Sequence, residues 1–219
     1  MKVILTGSTG FIGCEVLKQC LQNPSITSIV AFSRRDLPPT VTHHPKLTVR
    51  IVNDFLSFSD AILEDIKGAG ACIWTLGKAV MTDMEMARKI HIEYTLSSLE
   101  AFHRAVASGS QSPMKFRFVY CSGAVAERDQ SKPLWFAQEY RRIRGEVENQ
   151  LIASAENHRD TIETYILRPA MVVSRELTLR SLIFGLGPSI KVDVLAGVML
   201  DIALHGHNEK ILENFMMDK

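Results

Sequence analysis

The first thirteen residues constrain the fold of this 219-residue chain more than any other stretch. Val3–Leu5 is a short apolar run, typical of a strand buried on both faces of a parallel sheet. Gly7, Gly10 and Gly13 follow at three-residue intervals, and a helical pattern then runs over 14–22. A strand that turns tightly on glycine into a helix gathers unpaired backbone N–H groups at the positive end of the helix dipole. The stretch therefore predicts a phosphate cradle, with a glycine-rich loop that holds no ligand as the alternative.

Composition and charge give no support to several other classes of protein. A hydrophobic content of 46% and a charged content of 22% are ordinary for a globular domain, and a formal net charge of +1 gives no reason to expect nucleic acid or a membrane as partner. The four cysteines form no CxxC pair, so neither a zinc site nor a disulfide framework is indicated. The loop histidines His43, His44, His205 and His207 lack ligand companions, and we expect no metal.

The N-terminal apolar run is too short for a signal peptide, and no apolar run approaches the length of a membrane span. We therefore expect a cytoplasmic protein in a reducing compartment, acting on a small-molecule substrate. The sequence leaves open whether the chain pairs as a homodimer, because periodicity does not separate a core face from a pairing face.

Strand-like and helix-like patterns alternate along the whole chain. Strands are predicted over 3–5, 26–32, 47–52, 71–76, 116–121 and 161–167, and helices over 14–22, 60–67, 82–107, 134–155 and 193–204. Ser57–Asp60 and Thr82–Glu85 have the capping-box pattern of helix starts. This alternation predicts an α/β fold, a doubly wound parallel sheet with helices on both faces. We expect one domain over 1–219, in which 170–219 contribute a very small C-terminal substrate or lid region.

The end of the second strand indicates which nucleotide the cradle would take. An acidic residue there would bind the adenosine ribose and repel a 2′-phosphate. The chain instead has Ser33, Arg34 and Arg35, and guanidinium groups suit a phosphate. The pattern favours NADP(H) over NAD(H); the alternative is that the two arginines are a solvated loop pair.

Two further segments at strand ends are expected to meet the cofactor. Asp54 and Phe55 follow the third strand, where a carboxylate would meet the adenine amine and the neighbouring side chain its ring face; a structural Asp that leads a helix is the alternative. Leu76, Gly77 and Lys78 follow the fourth strand, at the edge of the sheet where ligands bind in doubly wound folds. Lys78 is equally well explained as a surface lysine.

The second half of the chain adds motifs that, with the first half, resemble a known superfamily. Cys121-Ser-Gly123 ends the fifth strand, Tyr140-Arg-Arg-Ile-Arg144 follows in a helical pattern, and Leu167-Arg-Pro169 ends the sixth strand. With the glycine turn, Ser33–Arg35 and Leu76–Lys78, these motifs resemble the short-chain dehydrogenases/reductases, in their atypical NAD(P)-binding branch that includes NmrA-like and epimerase-like proteins. The resemblance covers nearly the whole chain and implies a Rossmann-type fold.

The resemblance implies a role for each motif. Ser122 would hydrogen-bond the substrate carbonyl oxygen, and Tyr140 would give that oxygen its proton while the nicotinamide delivers hydride. The family has a lysine four residues after the tyrosine, whereas this chain has Arg144, which shares the helical face of Tyr140. A neighbouring cation is expected to lower the pKa of the phenol.

The implied cofactor contacts extend over the whole glycine turn and to the end of the sixth strand. They comprise Gly7, Ser8, Thr9, Gly10, Phe11, Ile12 and Gly13 in the turn, and Pro169, Ala170, Met171 and Val172 at the nicotinamide end. Trp135, Phe184 and Leu186 are candidates for an apolar substrate wall; the alternative is that these large apolar residues belong to the core.

Three functions remain open, because Arg for Lys is not a conservative exchange. The first is an oxidoreductase in which Arg144 takes the family's cationic role. The second keeps the pocket for non-redox isomerisation or cyclisation, with Tyr140 as general acid or base. The third is a regulatory module whose cofactor occupancy controls a partner protein; Tyr140 that merely packs along its helix is a further alternative.

Overall fold

The computed structural model describes residues 1–109, 114–174 and 187–217. Its strands are β1 (Lys2–Thr6), β2 (Ser28–Ser33), β3 (Leu47–Ile51), β4 (Ala69–Trp74), β5 (Phe116–Cys121), β6 (Ile162–Arg168), β7 (Met171–Val173), β8 (Ser189–Lys191) and β9 (Ile211–Glu213). Its α-helices in the described part of the chain are α1 (Phe11–Gln22), α2 (Pro39–Thr42), α3 (Asp60–Ile66), α4 (Met84–Arg88), α5 (Tyr94–Gly109), α6 (Gln138–Asn157), α7 (Val192–His205) and α8 (Asn214–Met217). A π-helical turn, Lys89–Glu93, joins α4 to α5.

The main sheet has the order β3-β2-β1-β4-β5-β6-β9, and all of its pairings are parallel. Strand order reverses between β1 and β4, so their carboxyl ends open a crevice where ligands bind in such sheets. A separate parallel pair, β7 with β8, lies beyond the end of β6. The predicted doubly wound parallel sheet is confirmed.

Two apolar layers sandwich the sheet. Val3, Ile4 and Leu5 have no exposed surface, as expected for a strand covered on both faces. One layer packs α3, α5 and α6 around Trp74, and the other packs α1 and α7 together. Within the described ranges, no helix combines the length and apolarity needed to cross a bilayer.

Both capping-box predictions are wrong in detail. The N-cap of α3 is Ser59 and its side chain makes no capping hydrogen bond, so the box at Ser57 does not form. Asp83 rather than Thr82 caps α4, by accepting a hydrogen bond of 2.9 Å from the backbone of Met86. The helix predicted over 82–107 is one continuous path, but the π-helical turn interrupts its α-helical geometry.

The C-terminal half also differs from the prediction at several places. Helix α6 begins at Gln138 rather than 134, because Ala137 adopts a left-handed φ of 44°. Ile211–Glu213, expected as tail, adds a strand beside β6. Trp135 is 99% exposed and, in the described part of the chain, lines neither the cavity beside the glycine turn nor the cleft at the carboxyl edge of the sheet, while Phe184 and Leu186 lie outside the described residues.

Candidate functional site

The glycine turn connects β1 to α1 and requires glycine for two different reasons. Gly7 has a φ of +73°, which disfavours any residue with a side chain, and a Cβ there would lie 2.6 Å from the carbonyl oxygen of Thr75. A Cβ on Gly13 would lie 2.0 Å from the carbonyl oxygen of Gly7. Gly10 N–H donates to that same oxygen at 2.8 Å. The turn is therefore closed tightly against β4, with its outer backbone free to approach a ligand.

Polar groups in the turn suit an anionic ligand. Helix α1 starts at Phe11 without a side-chain cap, so its first backbone N–H groups face outward. The Ser8 hydroxyl is buried and has no hydrogen-bond partner among the described residues. An unsatisfied hydroxyl beside an uncapped helix start is what a pyrophosphate would satisfy. The residues present fit a dinucleotide.

The arginines expected at the adenosine end stand at the surface. The Ser33 hydroxyl donates to the backbone oxygen of Arg35 at 2.6 Å and accepts from its N–H at 3.3 Å, which fixes the turn after β2. Arg34 and Arg35 are exposed. A cavity of about 800 Å³ runs from Ser8 and Thr9 to Arg35. The turn therefore places one guanidinium on the rim of a cavity that begins at the glycine turn.

The predicted adenine contact needs one correction. Phe55 is 1% exposed and packs edge-on against Trp74 at a centroid distance of 5.7 Å, within the aromatic core that also includes Phe32. The Phe55 side chain is not free to offer a ring face to an adenine, because the core already covers it. Asp54 is exposed and remains accessible.

A cleft of about 660 Å³ at the carboxyl edge of the sheet brings most of the remaining candidates together. Its lining comes from the end of β4, the end of β5, α6 and the segment after β6. It includes Ile12, Leu76, Gly77, Lys78, Ser122, Tyr140, Arg144, Pro169, Ala170, Met171 and Val172. The predicted catalytic residues thus share one cavity with the predicted nicotinamide end of the cofactor site.

Tyr140 is buried at the back of this cleft. Its hydroxyl donates to the backbone oxygen of Lys78 and lies 3.3 Å from Nε2 of His91. Burial raises the pKa of Tyr140, and the Arg144 charge, which acts in the opposite direction, does not overcome it. The expectation that Arg144 lowers the pKa of Tyr140 below its usual value is therefore wrong for the protein without a bound ligand.

Arg144 is buried, with only a small part of its surface open to the cleft, and both of its terminal nitrogens make hydrogen bonds. Nη1 lies 2.8 Å from Nδ1 of His91, and Nη2 donates to the backbone oxygen of Cys121 at 3.1 Å. The guanidinium carbon also lies 5.6 Å from the centre of the Tyr120 ring, within cation–π range. Arg144 therefore ties α6 to the end of β5 and to the π-helical turn.

His91 lies at this site although none of the sequence motifs indicates it. It is fully buried at the middle of the π-helical turn, a geometry that often marks functional sites. Burial, reinforced by the Arg144 charge, lowers the pKa of His91 to about 3. A Cβ on Gly77 would lie 2.5 Å from the imidazole, so Gly77, with its φ of +144°, makes room for this ring.

A signal for His91 exists in the sequence, in its spacing along the helix. Ala87 lies four residues before His91 and Thr95 four residues after it, and Ser98 follows Thr95 by three. All three of these small residues are buried. A histidine on a helical face of small buried residues is expected to point inward.

Glu148 was also missed as a site residue. It has no exposed surface, accepts a short hydrogen bond from the Ser122 hydroxyl, and forms a two-pronged ion pair with Arg168. Arg168 in turn reaches Glu213 on β9 at 3.0 Å. Tyr140, Arg144 and Glu148 are spaced by four, which places them on one face of α6 and is the signal that was available. The Ser122 proton is thus directed to Glu148 rather than into the cleft.

No group of three or more histidine, cysteine or acidic side chains is placed to hold a metal ion in the part of the chain that the structure describes. All four cysteines are free thiols.

Comparisons with known proteins show the fold. No protein-family model matches the chain. A curated relative, "Leucinostatins biosynthesis cluster protein T" of Purpureocillium lilacinum, is 35% identical over 123 residues, which are 56% of this chain and 42% of that protein. The matched region is therefore less than half of the relative's length.

Solved structures superpose over almost the whole chain. Serine dehydrogenase from Escherichia coli has a TM-score of 0.69 at 14% identity, covering 97% of this chain and 96% of its own. The yeast methylglyoxal/isovaleraldehyde reductase Gre2, complexed with NADPH, has a TM-score of 0.68 at 16% identity, covering 97% of this chain and 78% of its own. The protein has the Rossmann-type α/β fold that these dehydrogenases and reductases share.

Proposed function

We propose that the protein is an NADP(H)-dependent oxidoreductase of the short-chain dehydrogenase/reductase type that interconverts a small carbonyl compound and its alcohol. One observation carries the proposal. The hydroxyls of Tyr140 and Ser122 and the Arg144 guanidinium converge on a cleft at the same edge of the sheet as the glycine turn. A dinucleotide whose pyrophosphate lies on the turn has its reactive ring near such a cleft in doubly wound folds.

The chain's own residues would bind, orient and exchange a proton. A bound nicotinamide supplies or accepts a hydride at the carbonyl carbon of the substrate. In the reducing direction Tyr140 gives its hydroxyl proton to the substrate oxygen, which becomes the alcohol. Residues 169–172 and Ile12 line the part of the cleft where the nicotinamide would lie, and buried Arg144 would favour the phenolate that Tyr140 leaves behind.

Ser122 orients the substrate, and Glu148 sets how it does so. Because the Ser122 hydroxyl donates its hydrogen bond to Glu148, the serine oxygen has only lone pairs to offer a ligand in this arrangement. Donation to a substrate carbonyl requires the hydroxyl to rotate away from Glu148. A substrate with a hydroxyl beside its carbonyl would instead donate to Ser122 without that rotation.

The preference for NADP(H) rests on the two arginines after β2. Both are exposed, Arg35 reaches the cavity that begins at the glycine turn, and the described structure gives neither guanidinium an acceptor. A 2′-phosphate would supply one. The yeast reductase with this fold was solved with NADPH, which supports the same choice.

Titration of the purified protein with NADPH and with NADH, followed by nicotinamide fluorescence, tests the cofactor. We expect saturable binding and at least a tenfold preference for NADPH. Equal or absent binding of both would overturn the proposal. A screen of carbonyl compounds then follows the loss of nicotinamide absorbance.

Tyr140→Phe tests the acid. We expect turnover to fall by about 10²- to 10⁴-fold, the usual contribution of a positioned general acid, with NADPH binding retained. The matched control is Tyr120→Phe, because the Tyr120 hydroxyl is buried without a partner among the described residues and lies outside the cleft lining. Equal losses in both variants would contradict a specific role for Tyr140.

A second function, non-redox acid–base chemistry with Tyr140, is favoured by the Ser122–Glu148 contact, which leaves Ser122 as an acceptor. Product formation without net consumption of NADPH, and still lost in Tyr140→Phe, would identify it.

A further inference from the structure

The proposed mechanism leaves one buried titratable group beside Tyr140 without a role. His91 has no exposed surface, and its ring stands edge-on to Tyr140 at a centroid distance of 5.7 Å. Its two nitrogens face two different side chains of α6: Nδ1 meets Arg144 and Nε2 meets Tyr140. The ring therefore bridges the residue expected to give a proton and the cation expected to tune it.

The Arg144 contact fixes the tautomer of His91. A guanidinium only donates hydrogen bonds, so Nδ1, 2.8 Å from Nη1, must be the unprotonated acceptor. A neutral imidazole then carries its single proton on Nε2. That N–H faces the Tyr140 oxygen at 3.3 Å, and the phenol proton in turn goes to the backbone oxygen of Lys78. The hydrogen bonds run in one direction, from Arg144 through His91 and Tyr140 to Lys78.

We propose that His91 is the positioning residue of Tyr140: held by Arg144 in the Nε2–H tautomer, it donates to the phenol oxygen. The proposal rests on the proposed function, in which Tyr140 is the acid. The Nε2–H of His91 donates to a lone pair of the phenol oxygen. The phenol proton therefore points away from His91, toward the backbone oxygen of Lys78 or toward a substrate oxygen. When that proton leaves, the Nε2–H stays in place and stabilises the phenolate.

This arrangement gives a physical reason for arginine at position 144. Its planar fork holds His91 with one nitrogen and the end of β5 with the other. A lysine has one terminal nitrogen on a flexible stem and would not hold both acceptors in this geometry. The cation then acts on Tyr140 through the imidazole as well as through its charge.

The surroundings keep the imidazole neutral and in place. Burial and the Arg144 charge lower the pKa of His91 to about 3, so it does not become a cation at working pH. Because Gly77 has no side chain, there is space for the His91 ring beside it, and the π-helical turn directs the ring toward α6.

Nitrogen-15 NMR of the full-length protein labelled at histidine tests the tautomer directly. Among the seven histidines, the signal lost in His91→Gln assigns the ring. In the unmutated protein we expect the Nε2–H tautomer, unchanged between about pH 5 and pH 8, where an ordinary histidine titrates. Tyr140→Phe should move the Nε2–H proton shift upfield with the tautomer retained.

Variants at position 144 separate the effect of the planar guanidinium from the effect of its positive charge. Arg144→Met should release the tautomer and move the His91 titration toward the ordinary value of about 6.5. Arg144→Lys keeps the charge, so the His91 ring should stay neutral. Because the planar fork is lost, the ring should no longer be held in the Nε2–H tautomer alone. Tyr120→Phe is the control: the Tyr120 ring lies beside the Arg144 guanidinium, whereas the two nitrogens of His91 meet Arg144 and Tyr140. We expect this variant to leave the His91 signal unchanged.

Turnover gives the functional readout. His91→Leu should lower kcat by about 10- to 100-fold, the value of one hydrogen bond to a charged group, with KM little changed. His91→Gln should recover part of the loss, because its amide also supplies an N–H.

An Nδ1–H tautomer, protonation near pH 6.5, or an unchanged Nε2–H shift in Tyr140→Phe would each overturn the proposal. These results need neither substrate nor cofactor, so they are independent of NADPH binding. If NADPH binds and Tyr140→Phe abolishes turnover while His91 shows the other tautomer, only the positioning role fails. If NADPH does not bind, the proposed function fails whatever His91 shows.

Discussion

The glycine turn, residues 7–13, and the proposed reacting end lie at the same edge of the sheet but are built differently. We use the name reacting end for His91, Ser122, Tyr140, Arg144 and Glu148. The turn comes from one contiguous stretch, and its groups are backbone N–H donors positioned by residues without side chains. The reacting end draws charged and polar side chains from the π-helical turn, β5 and α6 into a buried network. The turn depends on the absence of side chains at its glycines, whereas the reacting end depends on buried polar and charged side chains that hydrogen-bond one another.

This difference predicts that the two sites respond to different kinds of substitution. A methyl group added at a glycine of the turn should be damaging, because there is no space for it. At the reacting end a change of equal volume should be damaging when it leaves a buried partner unpaired. Four substitutions test that contrast.

Glu148→Gln should have the largest effect, although it barely changes the volume of the side chain. It removes the fully buried charge that pairs with Arg168, and breaking a buried pair costs about 3–5 kcal/mol of the free energy of unfolding. Because Arg168 keeps its second pair with Glu213, we expect the lower end of that range. Denaturant unfolding measures the loss.

The matched control for that change is Glu146→Gln, two residues earlier on the same helix. Glu146 pairs with Arg88 at 2.8 Å, but their side chains are 28% and 49% exposed. We expect a loss of about 0–1 kcal/mol. Equal losses in the two variants would mean that burial of the ion pair does not govern the reacting end.

How far each site could be predicted from the sequence follows from how it is built. The turn could be predicted because strand, glycines and helix are consecutive. Tyr140 and Ser122 were found through the resemblance, but His91 lies 49 residues before Tyr140, and only the fold brings the two together. Phe55 was assigned to the adenine site, since the sequence does not distinguish a ring at the end of a strand from a ring in the aromatic core.

Gly13→Ala tests the turn by space alone. Its Cβ would lie 2.0 Å from the Gly7 oxygen, so the backbone of the cradle has to move. We expect a loss of about 1–3 kcal/mol in the free energy of unfolding, as in other overpacked sites, and loss of NADPH binding by fluorescence.

Gly197→Ala, in α7, is the matched control, because the nearest atom to its Cβ would be the Gln19 side-chain oxygen at 3.6 Å. A helical glycine with space gains up to about 1 kcal/mol on change to alanine. Retained NADPH binding in Gly13→Ala would show that the turn is not the pyrophosphate site.

His91→Leu should remove a pH dependence from the stability. The native ring stays neutral because burial and Arg144 lower its pKa to about 3, while in the unfolded chain it titrates near its usual value of about 6.5. Between these values the unfolded state binds the extra proton, so stability falls as pH falls, by at most about 1.4 kcal/mol per pH unit.

Unfolding free energies at several pH values, measured for the protein and for His91→Leu, give that difference in slope. His43→Leu, at an exposed histidine, should keep the slope of the unmutated protein. Parallel slopes in all three proteins would mean that His91 accepts a proton in the folded state.

Arg35→Ala should have the smallest effect, and it sharpens the comparison because here the nucleotide end also relies on a charge. Arg35 is exposed, so a contact with a 2′-phosphate would be screened by water and salt. We expect the NADPH-over-NADH preference to fall about tenfold, equal to about 1.4 kcal/mol, with NADH affinity and stability unchanged. Lys18→Ala is the control, because Lys18 lines the same cavity but pairs with Glu15 at 3.5 Å. If Lys18→Ala lowers the preference as much, the rim attracts phosphate only by its overall positive charge. If only Arg35→Ala does, a single side chain on an exposed turn sets the cofactor choice, while the backbone of the glycine turn binds either dinucleotide.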